Sequence, residues 1–235
     1  MFSNNLFILV RSFLRKTGFI FLIKKTNFFL NASGKYEEKF DKTMQNYILT
    51  GMVGFDIGAN IGFYTKKFAE KVGNKGHIYA FEPITSSADK IRSLKDDFPW
   101  ITVNEQAVGD FEGKVFFEVD SQDKTSPTNR VVINDETGTQ NCIEKPIDKI
   151  DTLVKKYQLP DFIKLDVEGF ELNVLHGAKK TLLEKKLKHI FIEIHFSILE
   201  QRGQQFAPKE IKKILERSGF KIKYIDYSHM HAYRE

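Results

Sequence analysis

The 235-residue sequence contains a single cysteine, Cys142. One thiol excludes an internal disulfide framework and a multi-cysteine zinc site, and it fits a reducing compartment. Long apolar runs are missing too. The apolar stretch near the N-terminus is interrupted by Arg11, Arg15 and Lys16, well short of the ~18 to 20 residues that span a bilayer. Its charges follow the first apolar run and no small-residue cleavage site ends it, which argues against a signal peptide. Internal repeats and low-complexity tracts are absent as well. The expected location is cytoplasmic, with any membrane contact peripheral.

Acidic side chains are absent from residues 1–36, which carry Arg11, Arg15, Lys16, Lys24, Lys25 and Lys35 and so hold +6. The formal net charge of the whole chain is +5, and the remaining residues, 30 basic and 31 acidic, hold −1. A basic groove for phosphate backbones has no support in that body, so nucleic acid is not an expected partner. The basic segment interleaves Phe2, Phe7, Phe13, Phe19, Phe21, Phe28 and Phe29. Residues 1–50 are therefore expected to form a basic, aromatic, helical arm. Its first 30 residues either lie at an anionic membrane surface or pack on the domain after them.

Residues 51–235 alternate strand-length apolar runs with longer amphipathic stretches. This is the pattern of a doubly wound α/β domain, a mostly parallel sheet with helices on both faces. The spacing predicts strands at 53–57, 77–81, 101–103, 162–165, 189–194 and 221–227. Helices are predicted over 61–72, 86–97, 150–157, 171–183 and from Pro208 to near Gly219, with Phe63, Phe68, Ala69 and Val72 on one face of the first. Residues 109–147 read as an insertion or hairpin of short β pieces, and 228–235 leave the far edge of the sheet open.

The first strand ends in Asp56-Ile57-Gly58-Ala59-Asn60-Ile61-Gly62 and runs into a helix. In a doubly wound sheet that junction binds ligand. Glycines let the backbone turn and approach a cofactor, and the helix N-terminus offers unpaired N–H groups to a carboxylate. A dinucleotide fingerprint would require glycine at Asp56 and at Ile61, and a pyrophosphate is disfavoured beside Asp56. The cationic sulfonium and ammonium of S-adenosylmethionine (SAM) are not. The second strand ends in Phe81-Glu82-Pro83, with Glu82 twenty residues after Gly62, where an acid can chelate two ribose hydroxyls. Glu105 and Gln106, after the third strand, are candidates for the adenine.

These strings, with Ala107-Val108-Gly109-Asp110, the Asp166-Val167-Glu168-Gly169-Phe170-Glu171 run and Val174-Leu175-His176-Gly177-Ala178, resemble the FkbM family of methyltransferases. Order and spacing agree over about residues 50 to 200. The resemblance implies a class I fold, SAM as methyl donor, and a hydroxyl oxygen of a sugar, glycan or similar small metabolite as acceptor. The expected cofactor-binding residues are Asp56, Gly58, Asn60, Gly62, Glu82, Pro83 and Gln106. Asp166, Glu168 and His195 are the expected catalytic group. A histidine near its ordinary pKa can take the hydroxyl proton, and Asp166 and Glu168 can orient it or hold a divalent metal. Glu171 fits equally well as an acid at a helix start. His176, His229 and His231 are weaker candidates. Protein or nucleic-acid methylation, and a SAM-binding scaffold without catalysis, are the competing readings.

Overall fold

The computed structural model describes residues 28–118, 130–132 and 142–235. The chain divides into two compact units, Met1–Lys42 and Thr43–Glu235. Residues 1–27, most of the expected arm, lie outside the described residues. Helix α1 (Phe28–Tyr47) belongs to the first unit up to Lys42 and ends in the second. Every strand, and every helix after α1, lies in the second unit among the described residues.

Strand β1 (Val53–Ile57) is buried along its whole length, as a strand covered by helices on both faces must be. It pairs in parallel with β2 (His77–Phe81) on one side and with β8 (Phe162–Leu165) on the other. Beyond β2 lies β3 (Ile101–Asn104), and beyond β8 lies β9 (His189–Glu193), both parallel to their neighbours. The far edge is a hairpin of β10 (Lys221–Tyr224) and β11 (His229–Tyr233), with β11 inserted antiparallel between β9 and β10. The order β10-β11-β9-β8-β1-β2-β3 places the topological switch point between β1 and β8, where such sheets bind ligand. Residues 228–235, which left the edge open in the sequence, thus supply the sheet's reversed strand.

Helix α2 (Phe63–Val72) buries Phe68, Ala69 and Val72. Phe68 meets Phe162 of β8 edge-to-face at 5.3 Å, and burial of such a ring contributes roughly 1.5–3 kcal/mol. The helix starts two residues later than its periodicity suggests. Asn60 and Gly62 adopt left-handed backbone, with φ of 49° and 87°, so the turn consumes Ile61 and Gly62. Phe63 then falls in the first turn and points outward, 57% exposed. It is not a core residue, contrary to the periodicity.

Helix α3 (Thr85–Ser93) continues as a 3-10 turn at Leu94–Asp96. Between β3 and β8 lie β4 (Ala107–Gly109), β5 (Gly113–Glu118), β6 (Arg130–Val132) and β7 (Cys142–Lys149), a second sheet of order β4-β7-β5-β6. It is the expected insertion of short β pieces, and its Phe117 lines the cleft described below. Helices α4 (Ile150–Lys156) and α5 (Glu171–His176) come next. The helix expected over 171–183 stops at His176 and resumes only as a 3-10 turn at Thr181–Leu183. Helix α6 (Phe196–Gln201) was not expected. Helix α7 (Ala207–Arg217) has Pro208 in its first turn and buries Ile211 and Leu215, one turn apart, as its sequence indicates.

Candidate active site at the carboxyl edge of the sheet

A cleft opens at the carboxyl ends of β1, β2 and β8, lined among others by Gly58, Asn60, Glu82, Pro83, Gln106 and Asp166. Its empty space, counting the open mouth, is about 700 Å³. Gly58 has φ 76°, and a Cβ there would lie 1.8 Å from the Asp166 carbonyl oxygen. Any side chain would push β1 away from the end of β8. The loop is stapled from both sides. The N–H groups of Gly58 and Ala59 donate to the Phe81 carbonyl at 3.0 and 3.2 Å, and Lys164 Nζ donates to the Gly58 carbonyl at 2.8 Å.

Glu82 joins two loops. Its carboxylate accepts the N–H of Asn60 at 2.8 Å and that of Ile84 at 2.9 Å, one on each oxygen. Each oxygen keeps a lone pair for a further donor. Asn60 Oδ1 is buried and accepts no hydrogen bond, a free acceptor in the wall of the cleft. Gln106 Nε2 lies 3.5 Å from Asp148 Oδ2.

Not every expected residue faces the cleft. Asp56 is wholly buried and lies beneath the lining, accepting Thr65 Oγ1 at 2.6 Å and facing Lys164 Nζ at 3.5 Å. Gly62 is the N-cap of α2; a Cβ there would crowd Ile91 and Leu94 at 3.1 Å, so its part is packing. Glu105 is drawn away by Thr85, Arg92 and Lys145.

The three expected catalytic residues converge. His195 Nε2 lies 3.6 Å from Asp166 Oδ1 and 3.3 Å from Glu168 Oε2. One donor atom from each of the three falls within 4.8 Å of the others. Glu168 adopts left-handed backbone, φ 50°. His195 Nδ1 lies 2.8 Å from Glu171 Oε1, which also accepts the Gly169 N–H at 2.9 Å. Of the outlying histidines, His229 reaches the edge of this group, its Nε2 lying 3.5 Å from Glu193 Oε2, and the other two stay apart. His176 faces Glu210 at 3.4 Å, and His231 Nε2 contacts His189 Nδ1 at 3.2 Å near the other end of β9.

A sequence profile described as the methyltransferase FkbM domain matches residues 56–222. The chain belongs to the FkbM methyltransferase family. It is 26% identical over 167 residues to hexuronic acid methyltransferase AglP of Haloferax volcanii, an alignment covering 70% of this chain and 61% of that protein. The chain thus spans about three-fifths of that relative's length. Among solved structures it is similar to Aeropyrum pernix fibrillarin with bound S-adenosylmethionine, at 16% identity, TM-score 0.47, and 79% and 67% coverage of the two chains. For the precorrin-6y C5,15-methyltransferase of Geobacter metallireducens the values are 11%, 0.47, 85% and 88%.

In this FkbM chain the electrostatics differ from the expectation for His195. Burial would depress its pKa, but hydrogen bonds to Glu168 and Glu171 and the charges of Glu171 and Asp166 outweigh burial and raise it to about 11. It is an imidazolium at neutral pH, not the ready base that an ordinary histidine pKa suggests. Burial raises Glu168 above the usual carboxylate range despite the hydrogen bond from His195. Burial acts the same way on Asp166, but Lys164 and His195 overcome it and hold Asp166 low. Glu82 is raised by burial to about 7, its two backbone donors offsetting part of the effect.

Lys164 escaped the sequence reading of the candidate site, and Glu171 was left open there between function and a helix start. Lys164, 2% exposed, faces both Asp56 and Asp166, at 3.5 and 3.2 Å. A lysine inside the apolar run Phe162–Leu165, two residues before an aspartate, was its available signal. Glu171 starts α5, as an acid at a helix N-terminus does, and also fixes the His195 ring. Its spacing from His195 carries no sign of that contact.

Proposed function

We propose that this chain transfers the methyl group of S-adenosylmethionine to a hydroxyl oxygen of a sugar, and that the acceptor is a sugar acid of the hexuronic type. One observation carries the reading: Asp166 and Glu168 line the cleft and also belong to the cluster around His195. A nucleoside in the cleft and an acceptor on the cluster would meet at those two carboxylates. The similarity to AglP supports the narrower acceptor class.

The cleft residues suit the cofactor. Two Glu82 oxygens, each with capacity left, match a pair of ribose hydroxyls, and the buried Asn60 Oδ1 suits a donor such as the ammonium. Pro83 and Gln106 would hold the purine end, while Gly58 lets the ends of β1 and β8 approach closely enough to form the cleft. Asp56 contributes from beneath, through Lys164 and Thr65. When bound, the cofactor supplies a methyl group on a positive sulfur, open to in-line attack. As the new C–O bond forms, the acceptor hydroxyl must lose its proton. Glu168, the more basic of the two carboxylates, takes it. Asp166 stays ionised and orients the hydroxyl, and His195 holds both acids in place. A divalent ion at the same group would take the place of the His195 Nε2 proton and hold the two acids in its stead, leaving each carboxylate a second oxygen for the acceptor.

A nucleic-acid acceptor fits poorly with a charge of −1 over residues 37–235. No helix among the described residues is long and apolar enough to cross a membrane. The proposal is tested by incubating the chain with methyl-labelled SAM and a panel of free hexuronic acids, uronic-acid glycans and neutral sugars. Label on a uronic-acid hydroxyl supports it. Label on protein alone, or SAM binding with no transfer to any acceptor, favours the protein-directed or scaffold reading.

A further inference from the structure

The Asp166–Glu168–His195 group has a geometry that the methyl-transfer step does not itself require. Ligand atoms held ~2.1 to 2.3 Å from a divalent cation lie ~3.0 to 3.3 Å apart in cis and ~4.2 to 4.6 Å apart in trans. His195 Nε2 stands 3.3 Å from Glu168 Oε2, at the cis separation, and 3.6 Å from Asp166 Oδ1, slightly beyond it, while Glu193 Oε1 at 4.0 Å matches neither separation and lies outside the group. The imidazole is also preset as a ligand. Its Nδ1 is tied to fully buried Glu171, leaving Nε2 turned to the acids, the carboxylate–histidine arrangement that orients metal-ligating rings. The other Glu171 oxygen, Oε2, is buried and accepts no hydrogen bond. Around one imidazole stand four carboxylates, Asp166, Glu168, Glu171 and Glu193. Against them stand Lys164, shared between Asp166 and Asp56, and His229, whose Nε2 faces Glu193 at 3.5 Å and whose other nitrogen is held by Asp226. Negative charge gathered at such density and partly withdrawn from water calls for a cation.

We propose that Asp166, Glu168 and His195 bind a divalent first-row cation, which displaces the Nε2 proton of the His195 imidazolium to solvent. Mixed carboxylate and imidazole donors suit Mn²⁺ better than Ca²⁺, and three protein ligands leave positions open for acceptor oxygens. The cation site rests on the methyl-transfer reading and deepens it: the open positions take the reacting hydroxyl and a neighbouring oxygen of the sugar acid. Glu168 keeps its second oxygen for the proton.

The test is Mn²⁺ titration of the full chain, followed by calorimetry and by loss of the free-ion EPR signal. In parallel, 5′-methylthioadenosine is titrated into each preparation, and circular dichroism reports the fold. The wild-type chain should show one saturable site. Asp166→Asn and His195→Gln should weaken it at least tenfold, and Glu171→Gln, acting through the ring, by about 10- to 100-fold. Glu168→Gln, at a partly exposed position, decides the matter if the other variants fail to fold. Absence of a saturable site, or equal affinity in folded variants, overturns the proposal. Nucleoside binding without Mn²⁺ binding removes the cation alone, whereas Mn²⁺ binding without nucleoside binding removes the methyl-transfer reading and leaves the cation site.

Discussion

Replacing Glu82 separates the cofactor reading from a purely structural one. In the free chain its carboxyl titrates at about 7 because burial disfavours the charge. Only the ionised form accepts a hydrogen bond on both oxygens beyond the two it takes from Asn60 and Ile84. A ribose therefore binds the ionised fraction, which is about a tenth at pH 6 and about nine-tenths at pH 8, so its apparent affinity should rise about tenfold between them, ~1.4 kcal/mol. The assay is calorimetry with 5′-methylthioadenosine, which carries the ribose but lacks the titrating amino-acid end of SAM. Glu82→Gln places an NH₂ group against one of the two backbone donors. That leaves a buried N–H unsatisfied at a cost of about 1–3 kcal/mol and removes the pH dependence. Stability moves the opposite way in the wild-type chain. The folded carboxyl titrates above the unfolded one, so from about pH 4.5 to 7 the folded chain holds a proton that the unfolded chain has released, and stability falls as pH rises across that window. The thermal shift produced by the nucleoside should grow over the same range. Equal binding at pH 6 and 8, together with an unchanged affinity in Glu82→Gln, would refute the ribose assignment.

Asp166→Asn and Glu168→Gln should lower turnover of labelled SAM far more than they alter nucleoside affinity, a pattern read from kcat against Kd; equal losses in both would make these residues part of the cofactor site only. Lys164→Met leaves Asp56 and Asp166 without their cation and should cost about 3–5 kcal/mol in urea denaturation; a loss under ~1 kcal/mol would mean that the pair is solvated. Gly58→Ala, whose Cβ would meet the Asp166 carbonyl at 1.8 Å, should abolish nucleoside binding before it abolishes folding. His231, buried and held neutral to about pH 3 by burial with the His189 and Lys223 charges, binds its proton more readily when unfolded. Stability should therefore drop as pH falls from about 6.5, by roughly 1.4 kcal/mol per unit from this group. His231→Phe should flatten that slope, and an unchanged acid limb would show that another group sets it.

The parts of the fold legible in the sequence are those fixed by short-range pattern. The runs 53–57, 77–81 and 162–165 are apolar over nearly their full length because helices cover both faces, and the expected bounds of all three match the observed ones. Glu82 is legible because the chain length of one βα unit sets its distance from Gly62. Pattern misleads where tertiary contact overrides it. Phe63 completes a helical stripe in sequence, but two left-handed residues before it shift the helix start, and it ends in solvent. Asp56 resembles a ligand-facing acid by position, yet β1 is an interior strand and its carboxylate finds Thr65 and Lys164 first. His195 shows the same limit in its charge. A histidine at a strand end has an ordinary pKa in isolation, and only the approach of Glu168 and Glu171 across the β8–α5 turn converts it into a held imidazolium. That turn depends on Gly169, φ 84°, whose N–H reaches Glu171 and whose carbonyl accepts Arg202 Nη1 at 2.9 Å. The Asp-Val-Glu-Gly-Phe-Glu string therefore works as one geometric unit. Its first two acids face the cleft because its third, two residues past the glycine, turns back to grip the histidine of the next strand.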